Sequence, residues 1–212
     1  VRWSDHLDDM PSSYYLETAL RTDRVDRFWL HLYGHMANYQ SRGTFSASEQ
    51  LAIKPDHSGM WRALLFEGSN AERGIDQCIP SIQIPALGLA WQVVLAPAFE
   101  EMVYLAKGAP RRWFAGDGGG FSVTNAATRF GKVNLTVRNS KNTTVMTSVA
   151  QIDFAAANVA GVTTTPTFAI RLRSELADEH LEPTSIVVSG DGASFQKVYD
   201  ELIYVTIGAD TS

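Results

Sequence analysis

Residues 121–137 read FSVTNAATRFGKVNLTV, and this stretch decides the fold. Apolar and polar side chains alternate through Phe121–Thr124 and again through Val133–Val137, with the period of two that is typical of β-strands. Asn125 and Gly131 lie between the two runs, where a connection needs residues of this kind. The stretch therefore predicts two strands of an antiparallel sheet.

More runs of the same kind follow along the chain, and glycine, asparagine, proline and aspartate clusters separate them. These further predicted strands are Val145–Ile152, Phe168–Leu172, Ile186–Ser189 and Leu202–Ile207. Six or more strands with no helical pattern between them predict an antiparallel β-sandwich, which we place at residues 101–212. The class of fold that we expect is therefore α+β, with a short helical segment in front of the sandwich.

The helical segment covers residues 1–50, and its pattern is clearest in residues 10–42. Ser12 or Ser13 is placed to cap a first short helix, and Thr22 or Asp23 to open a longer one. The longer helix carries one wide apolar face, formed by Val25, Phe28, Trp29, Leu32, Met36 and Tyr39. We expect Phe28, Trp29, Leu32 and Met36 to form a seam that packs against helices outside this chain.

Residues 51–100 read as an irregular connector with one helix. Pro85 suits the first turn of a helix over Ala86–Leu95. Beyond it, Glu101–Ala106 resembles a strand, Pro110–Phe114 a tight connection and Gly116–Gly120 a turn. We place the domain boundary near residue 100.

Charge and composition exclude some classes of function. The net charge is −5 and the sequence pI is about 5.5, without the basic stripe of a nucleic-acid-binding protein. The longest apolar run, Ile84–Phe99, is interrupted by two prolines and a glutamine and is not a membrane span. Cys78 is the single cysteine, which excludes an intrachain disulfide. Two sequons, at Asn134 and Asn142, predict glycosylation and hence a secreted or extracellular protein.

Metal and cofactor chemistry has little support in the sequence. His31 and His35 share a helix face, but the glutamate of a metalloprotease is missing after His31, and only His57 is conceivable as a third ligand. We therefore expect no metal site and no cofactor.

One short stretch allows two interpretations. The run Arg111, Arg112 and Trp113 is either a sugar-stacking surface or a set of ion pairs that joins two domains.

Glu49 is the most interesting acid of the chain. It follows the apolar helix in a loop that also contains Arg42, with the aromatic Tyr39 nearby. Glycoside hydrolysis needs two carboxylates that flank the scissile bond, and such a loop is a plausible position for one of them. In the alternative interpretation, Glu49 caps a turn or pairs with Arg42.

Several segments resemble the six-hairpin glycosidases, in which an (α/α)6 toroid is followed by a β-sandwich. Asp23–Leu51, with Arg27–Ala37 and Arg42–Phe45 inside it, resembles the last helix of that toroid. Leu105–Phe114 resembles the link into the sandwich, and Phe121–Val133 resembles its first strands.

The resemblance implies that this chain is the C-terminal part of a secreted glycoside hydrolase that acts on a poly- or oligosaccharide. Most of the toroid and at least one catalytic carboxylate would belong to an N-terminal chain or domain of the same parent. It implies a catalytic role for Glu49 and substrate contacts for Arg42, Tyr39 and Trp61. The alternatives are a non-catalytic carbohydrate-binding module, in which Trp61, Trp91 and Trp113 stack on sugars, and a purely structural β-sandwich module.

Overall fold

The computed structural model describes residues 6–8, 12–38, 50–52, 79–116, 118–141, 146–156, 166–173, 185, 187, 193–199 and 201–207. Within them it contains three helices and three β-sheets, which confirms a mixed α+β fold. The chain divides into two compact units, a helical unit (Val1–Leu89) and a sheet unit (Ala90–Ser212).

The helices of the helical unit are α1 (Ser12–Arg21), α2 (Val25–Asn38) and α3 (Ile79–Trp91), the last of which runs across the unit boundary. A short antiparallel pair, β1 (His6–Asp8) with β2 (Gln50–Ala52), completes its described part.

A tight turn joins α1 to α2, and Asp23 adopts a left-handed conformation in it, with φ of 62°. The Arg24 N–H donates to Ala19 O at 2.7 Å and the Asp23 N–H to Leu20 O at 3.1 Å, the two bonds of a Schellman motif. The Phe28 N–H then donates to Arg24 O, so α2 starts after Arg24. The prediction that Thr22 or Asp23 opens α2 is therefore wrong, because both residues end α1.

The predicted apolar face of α2 is buried in part. Phe28 and Leu32 are fully buried within this chain, whereas Val25, Trp29 and Met36 of the same face are half-buried. A Cβ on Gly88 of α3 would lie 2.5 Å from a Leu32 methyl carbon, so the two helices approach closely there. The expectation that Phe28 and Leu32 await helices from outside the chain is therefore wrong.

The third helix starts earlier than predicted. Pro80 is its second residue, where the missing proline N–H costs no intrahelical hydrogen bond, and Pro85 lies inside the helix instead of in its first turn. The sequence offers two prolines for one helix start, and the structure uses the first.

Eight strands form the described part of the sheet unit: β3 (Val94–Leu95), β4 (Met102–Leu105), β5 (Gly120–Thr128), β6 (Gly131–Lys141), β7 (Met146–Ala156), β8 (Thr167–Arg171), β9 (Ser194–Tyr199) and β10 (Leu202–Thr206). Strands β5, β6 and β7 form a three-stranded antiparallel sheet in chain order. The other five form a second sheet in the order β3-β4-β8-β10-β9.

The second sheet is mixed, because β4 and β8 pair in parallel, with Val103 opposite Phe168. The expectation of a purely antiparallel arrangement is wrong at this pair. Parallel neighbours need a long crossover, and here the whole three-stranded sheet lies between them in the chain.

Both sheets contribute to one hydrophobic cluster. Phe168 of β8 meets Phe154 of β7 edge to face, with ring centroids 5.3 Å apart. The buried members of the cluster are Val94, Val103, Leu105, Ala106, Ala109, Phe114, Phe130, Val133, Leu135, Val137, Phe168, Ile170 and Val205. Alternation in β6 follows the prediction, since Val133, Leu135 and Val137 point into this cluster.

One predicted strand lies mostly outside the described residues, and one observed strand was not predicted. Of Ile186–Ser189 the structure describes only Val187, which is 90% exposed and outside any strand. Strand β9 was missed, because Ser194–Tyr199 lacks a regular alternation of apolar and polar residues; it pairs with β10 through a register shift between Tyr204 and Val205.

Candidate functional site

The residues to which the sequence assigns a catalytic or substrate-binding role are Tyr39, Arg42, Glu49 and Trp61. All four lie outside the described residues, as does the sequon residue Asn142. Their roles therefore stay predictions.

The other sequon residue, Asn134, lies among the described residues, and its side chain stabilises a register shift in the neighbouring strand β5. Its side-chain oxygen accepts a hydrogen bond from the Asn125 N–H at 2.7 Å. Asn125 has a positive φ of 55° where the pairing of β5 with β6 shifts register between Val123 and Ala126. The interaction uses only the oxygen of the Asn134 amide, which leaves its nitrogen as the atom for a glycan. Glycosylation there stays a prediction.

The two histidines of α2 have different surroundings. His35 is buried, and the half-buried His31 ring lies 4.6 Å from the ring of Tyr15 on α1, centroid to centroid. Among the described residues, no group of three or more histidine, cysteine, aspartate or glutamate side chains is arranged to hold a metal ion.

Arg111 forms an ion pair inside the sheet unit. Its two terminal nitrogens lie 2.8 and 3.3 Å from the two carboxylate oxygens of Glu201, a bidentate pair. Arg173 approaches the same carboxylate at 3.7 Å and donates to Lys107 O at 3.2 Å. Glu201 and Arg173 are buried, and Arg111 is largely so. This cluster ties the turn before β5 to the turn between β9 and β10.

Trp113 belongs to the same structural region and does not form an open platform. It is half-buried, and its ring lies 5.3 Å from that of Phe121. Trp91 is half-buried too. The strongly exposed aromatic residues of the described sheet unit are Phe99 at 98% and Phe195 at 47%, which do not form a row on one sheet face.

A shallow cleft of about 510 Å³ lies along β5 and β6, next to the predicted glycine turn. Gly116 and Gly118 have positive φ values of 76° and 82°, as a turn of this kind requires. Asn139 holds the turn, because its backbone pairs with Gly118 and Gly119 and its buried side chain donates to Phe114 O at 2.7 Å. These hydrogen bonds of Asn139 stabilise the turn.

A second groove, of about 430 Å³, lies in the helical unit between α1 and α2, and we name it the hairpin groove. It is lined by Tyr15, Thr18, Ala19, Thr22, Arg24 and Arg27. Tyr15 is 42% exposed, and its ring contact with His31 holds it at the groove wall. The Thr22 hydroxyl donates to Thr18 O at 2.8 Å, which leaves its oxygen able to accept a further hydrogen bond.

The hairpin groove combines one aromatic ring, two hydroxyl groups and two guanidinium groups. Rings stack on the apolar faces of sugars, and hydroxyl and guanidinium groups bind their oxygens, so the groove is suited to a polar ligand with a flat apolar face. The sequence did not reveal this groove, because Arg24 received no role and Arg27 was considered only as part of the stretch Arg27–Ala37.

Comparison with known protein families, with characterised proteins and with solved structures finds no match for this chain. None of the described helices has the length and apolar character of a membrane-crossing segment.

Proposed function

We propose that this chain is the C-terminal part of a carbohydrate-active protein built like the six-hairpin glycosidases. In this proposal the helical unit faces the saccharide and the sheet unit is a stabilising β-sandwich. The cluster shared by the two sheets supports the sandwich interpretation, since Phe154 and Phe168 contact each other from different sheets.

The observation that carries the proposal is the hairpin groove. Its half-exposed Tyr15 ring stands beside two threonine hydroxyls, which is the pairing of apolar ring and polar groups that a pyranose binds. The groove is open and large enough for a small ligand. In the sheet unit, by contrast, Arg111 and Arg173 bind the buried carboxylate of Glu201, so we take the helical unit as the better place for recognition.

Exposed apolar side chains on the same unit favour a larger parent protein. Leu30 is 77% exposed, and Tyr33, one turn further along α2, is 52% exposed beside the stacked ring of Trp29. Large exposed apolar patches mark interaction surfaces. We assign this surface to contacts with an N-terminal part of the parent, in place of the buried seam at Phe28 and Leu32.

The catalytic part of the proposal rests on Glu49 and is tested in the full-length parent protein. Glu49→Gln keeps the size of the side chain and removes its charge. If Glu49 is the acid or base, turnover should fall by about two to four orders of magnitude with an unchanged melting temperature. Release of reducing sugars from a panel of polysaccharides measures turnover, and the exposed Glu101→Gln is the matched control.

Each outcome of this experiment decides one part of the proposal. Wild-type turnover from Glu49→Gln would remove Glu49 from the mechanism. Saccharide binding without any cleavage by the wild-type parent would establish the non-catalytic binding module instead. A parent that neither binds nor cleaves any saccharide of the panel would overturn the carbohydrate function as a whole.

A further inference from the structure

The hairpin groove is lined by two cations. Arg24 and Arg27 are both exposed at its wall, one residue before α2 and in its first turn. No carboxylate stands among the described residues that line the groove, and within the described part of the chain neither arginine forms an ion pair. The acids next to them in sequence, Asp23 and Asp26, do not line it.

Arg24 and Arg27 lie at a position that is unfavourable for the stability of α2. The first turn of a helix carries the positive end of the helix dipole, so a cation there stabilises the helix less than an anion does. Arg21, at the C-terminal end of α1, shows the ordinary arrangement, because it lies at the negative end of its helix and 3.9 Å from Glu17. The two groove arginines therefore do not stabilise their own helix through its dipole.

We propose that the hairpin groove binds an acidic saccharide, with the carboxylate of a uronic acid residue held by Arg24 and Arg27 and the pyranose ring against Tyr15. This inference rests on the proposed function and specifies its substrate class. A guanidinium presents parallel N–H donors that match both oxygens of a carboxylate, which gives the groove its preference for a charged sugar over a neutral one. The hydroxyls of Thr18 and Thr22 bind sugar hydroxyls beside it.

The test measures binding of tetragalacturonate and of a neutral tetrasaccharide of the same length to the full-length protein by calorimetry at low salt. We expect the acidic oligosaccharide to bind at least about tenfold more tightly, since a charge-assisted hydrogen bond is worth about that factor. Arg24→Gln and Arg27→Gln should each remove about tenfold of the affinity for the acidic ligand. Each change should weaken binding of the neutral one much less, because its hydrogen bonds to a guanidinium are not ion pairs.

Two variants and two ligands separate binding in the groove from general electrostatic attraction. Arg21→Gln removes the same charge from the same helical hairpin outside the groove lining, and it should leave the affinity unchanged. Tyr15→Ala should weaken both oligosaccharides, because the ring contacts the sugar and not its charge. Fully methyl-esterified tetragalacturonate should behave as the neutral ligand, and a heparin-derived tetrasaccharide distinguishes sulfate from carboxylate recognition.

The two proposals fail in different ways. Equal affinity for the acidic and neutral oligosaccharides, with no effect of Arg24→Gln and Arg27→Gln, would overturn the acidic-saccharide inference and leave the carbohydrate function standing. Tight binding of the sulfated ligand alone would also overturn the uronate assignment. No binding of any saccharide would overturn the carbohydrate function itself.

Discussion

The helical unit and the sheet unit differ in what their charged side chains bind. In the sheet unit, Arg111 and Arg173 converge on the buried carboxylate of Glu201. In the helical unit, Arg24 and Arg27 are exposed around an open groove. A buried charge must find a partner inside the protein, whereas an exposed charge keeps its capacity to bind a ligand. This difference is the reason why we propose recognition for the helical unit and a stabilising role for the sheet unit.

The largest expected effect comes from the shared core of the two sheets. Phe168→Ala removes a fully buried ring that contacts Phe154, and it should lower the free energy of unfolding of the sheet unit by about 3–5 kcal/mol. Phe195→Ala, on the exposed edge strand β9 of the same sheet, is the control and should cost less than about 1 kcal/mol. Urea titrations followed by tryptophan fluorescence measure both variants. If Phe168→Ala and Phe195→Ala lower the free energy of unfolding equally, a core shared by both sheets is contradicted.

A smaller effect is expected at the buried ion cluster. Glu201→Gln keeps the shape of the side chain but removes the charge that Arg111 and Arg173 share, and it should destabilise the sheet unit by about 2–3 kcal/mol. The exposed Glu101→Gln should change stability by no more than about 0.5 kcal/mol. If both variants unfold at the wild-type urea concentration, the cluster contributes no stability and the contrast between the units disappears.

The smallest effect is expected on the exposed face of α2. Leu30→Ala should change the free energy of unfolding by no more than about 0.5 kcal/mol, because Leu30 is 77% exposed. The same substitution at the fully buried Leu32 should cost about 2–5 kcal/mol. Thermal melting followed by circular dichroism at 222 nm measures both, and a large loss from Leu30→Ala would show that this face is already covered in the isolated chain.

The sequence predicted the local features of the fold well. Alternation located β5 and β6, and helical spacing located α1 and α2, because these patterns depend on neighbours in the chain. It could not predict the parallel pairing of β4 with β8, since nothing in either segment specifies the direction of a distant partner. The start of α3 was ambiguous for a physical reason, because Pro80 and Pro85 each suit a first turn.

The candidate site was less predictable from the sequence. The chemistry of Arg24 and Arg27 depends on Tyr15 and Thr18, which come from the other helix of the hairpin. Only the turn at Asp23 brings these groups to one groove, and a left-handed aspartate in place of glycine gave no clear sequence signal. Sequence reasoning instead favoured Glu49 and its loop, whose roles stay predictions.

The parallel pairing of β4 with β8 has a consequence for the order in which the protein acquires its structure. Each neighbouring pair in the sheet of β5, β6 and β7 is adjacent in the chain, so this sheet can form early, as hairpins do within microseconds. Strand β4 meets β8 only after that whole sheet has been synthesised. During synthesis the edge of β4 that pairs with β8 stays open until β8 leaves the ribosome, and we expect the closing of the larger sheet to be the slow, late step of folding.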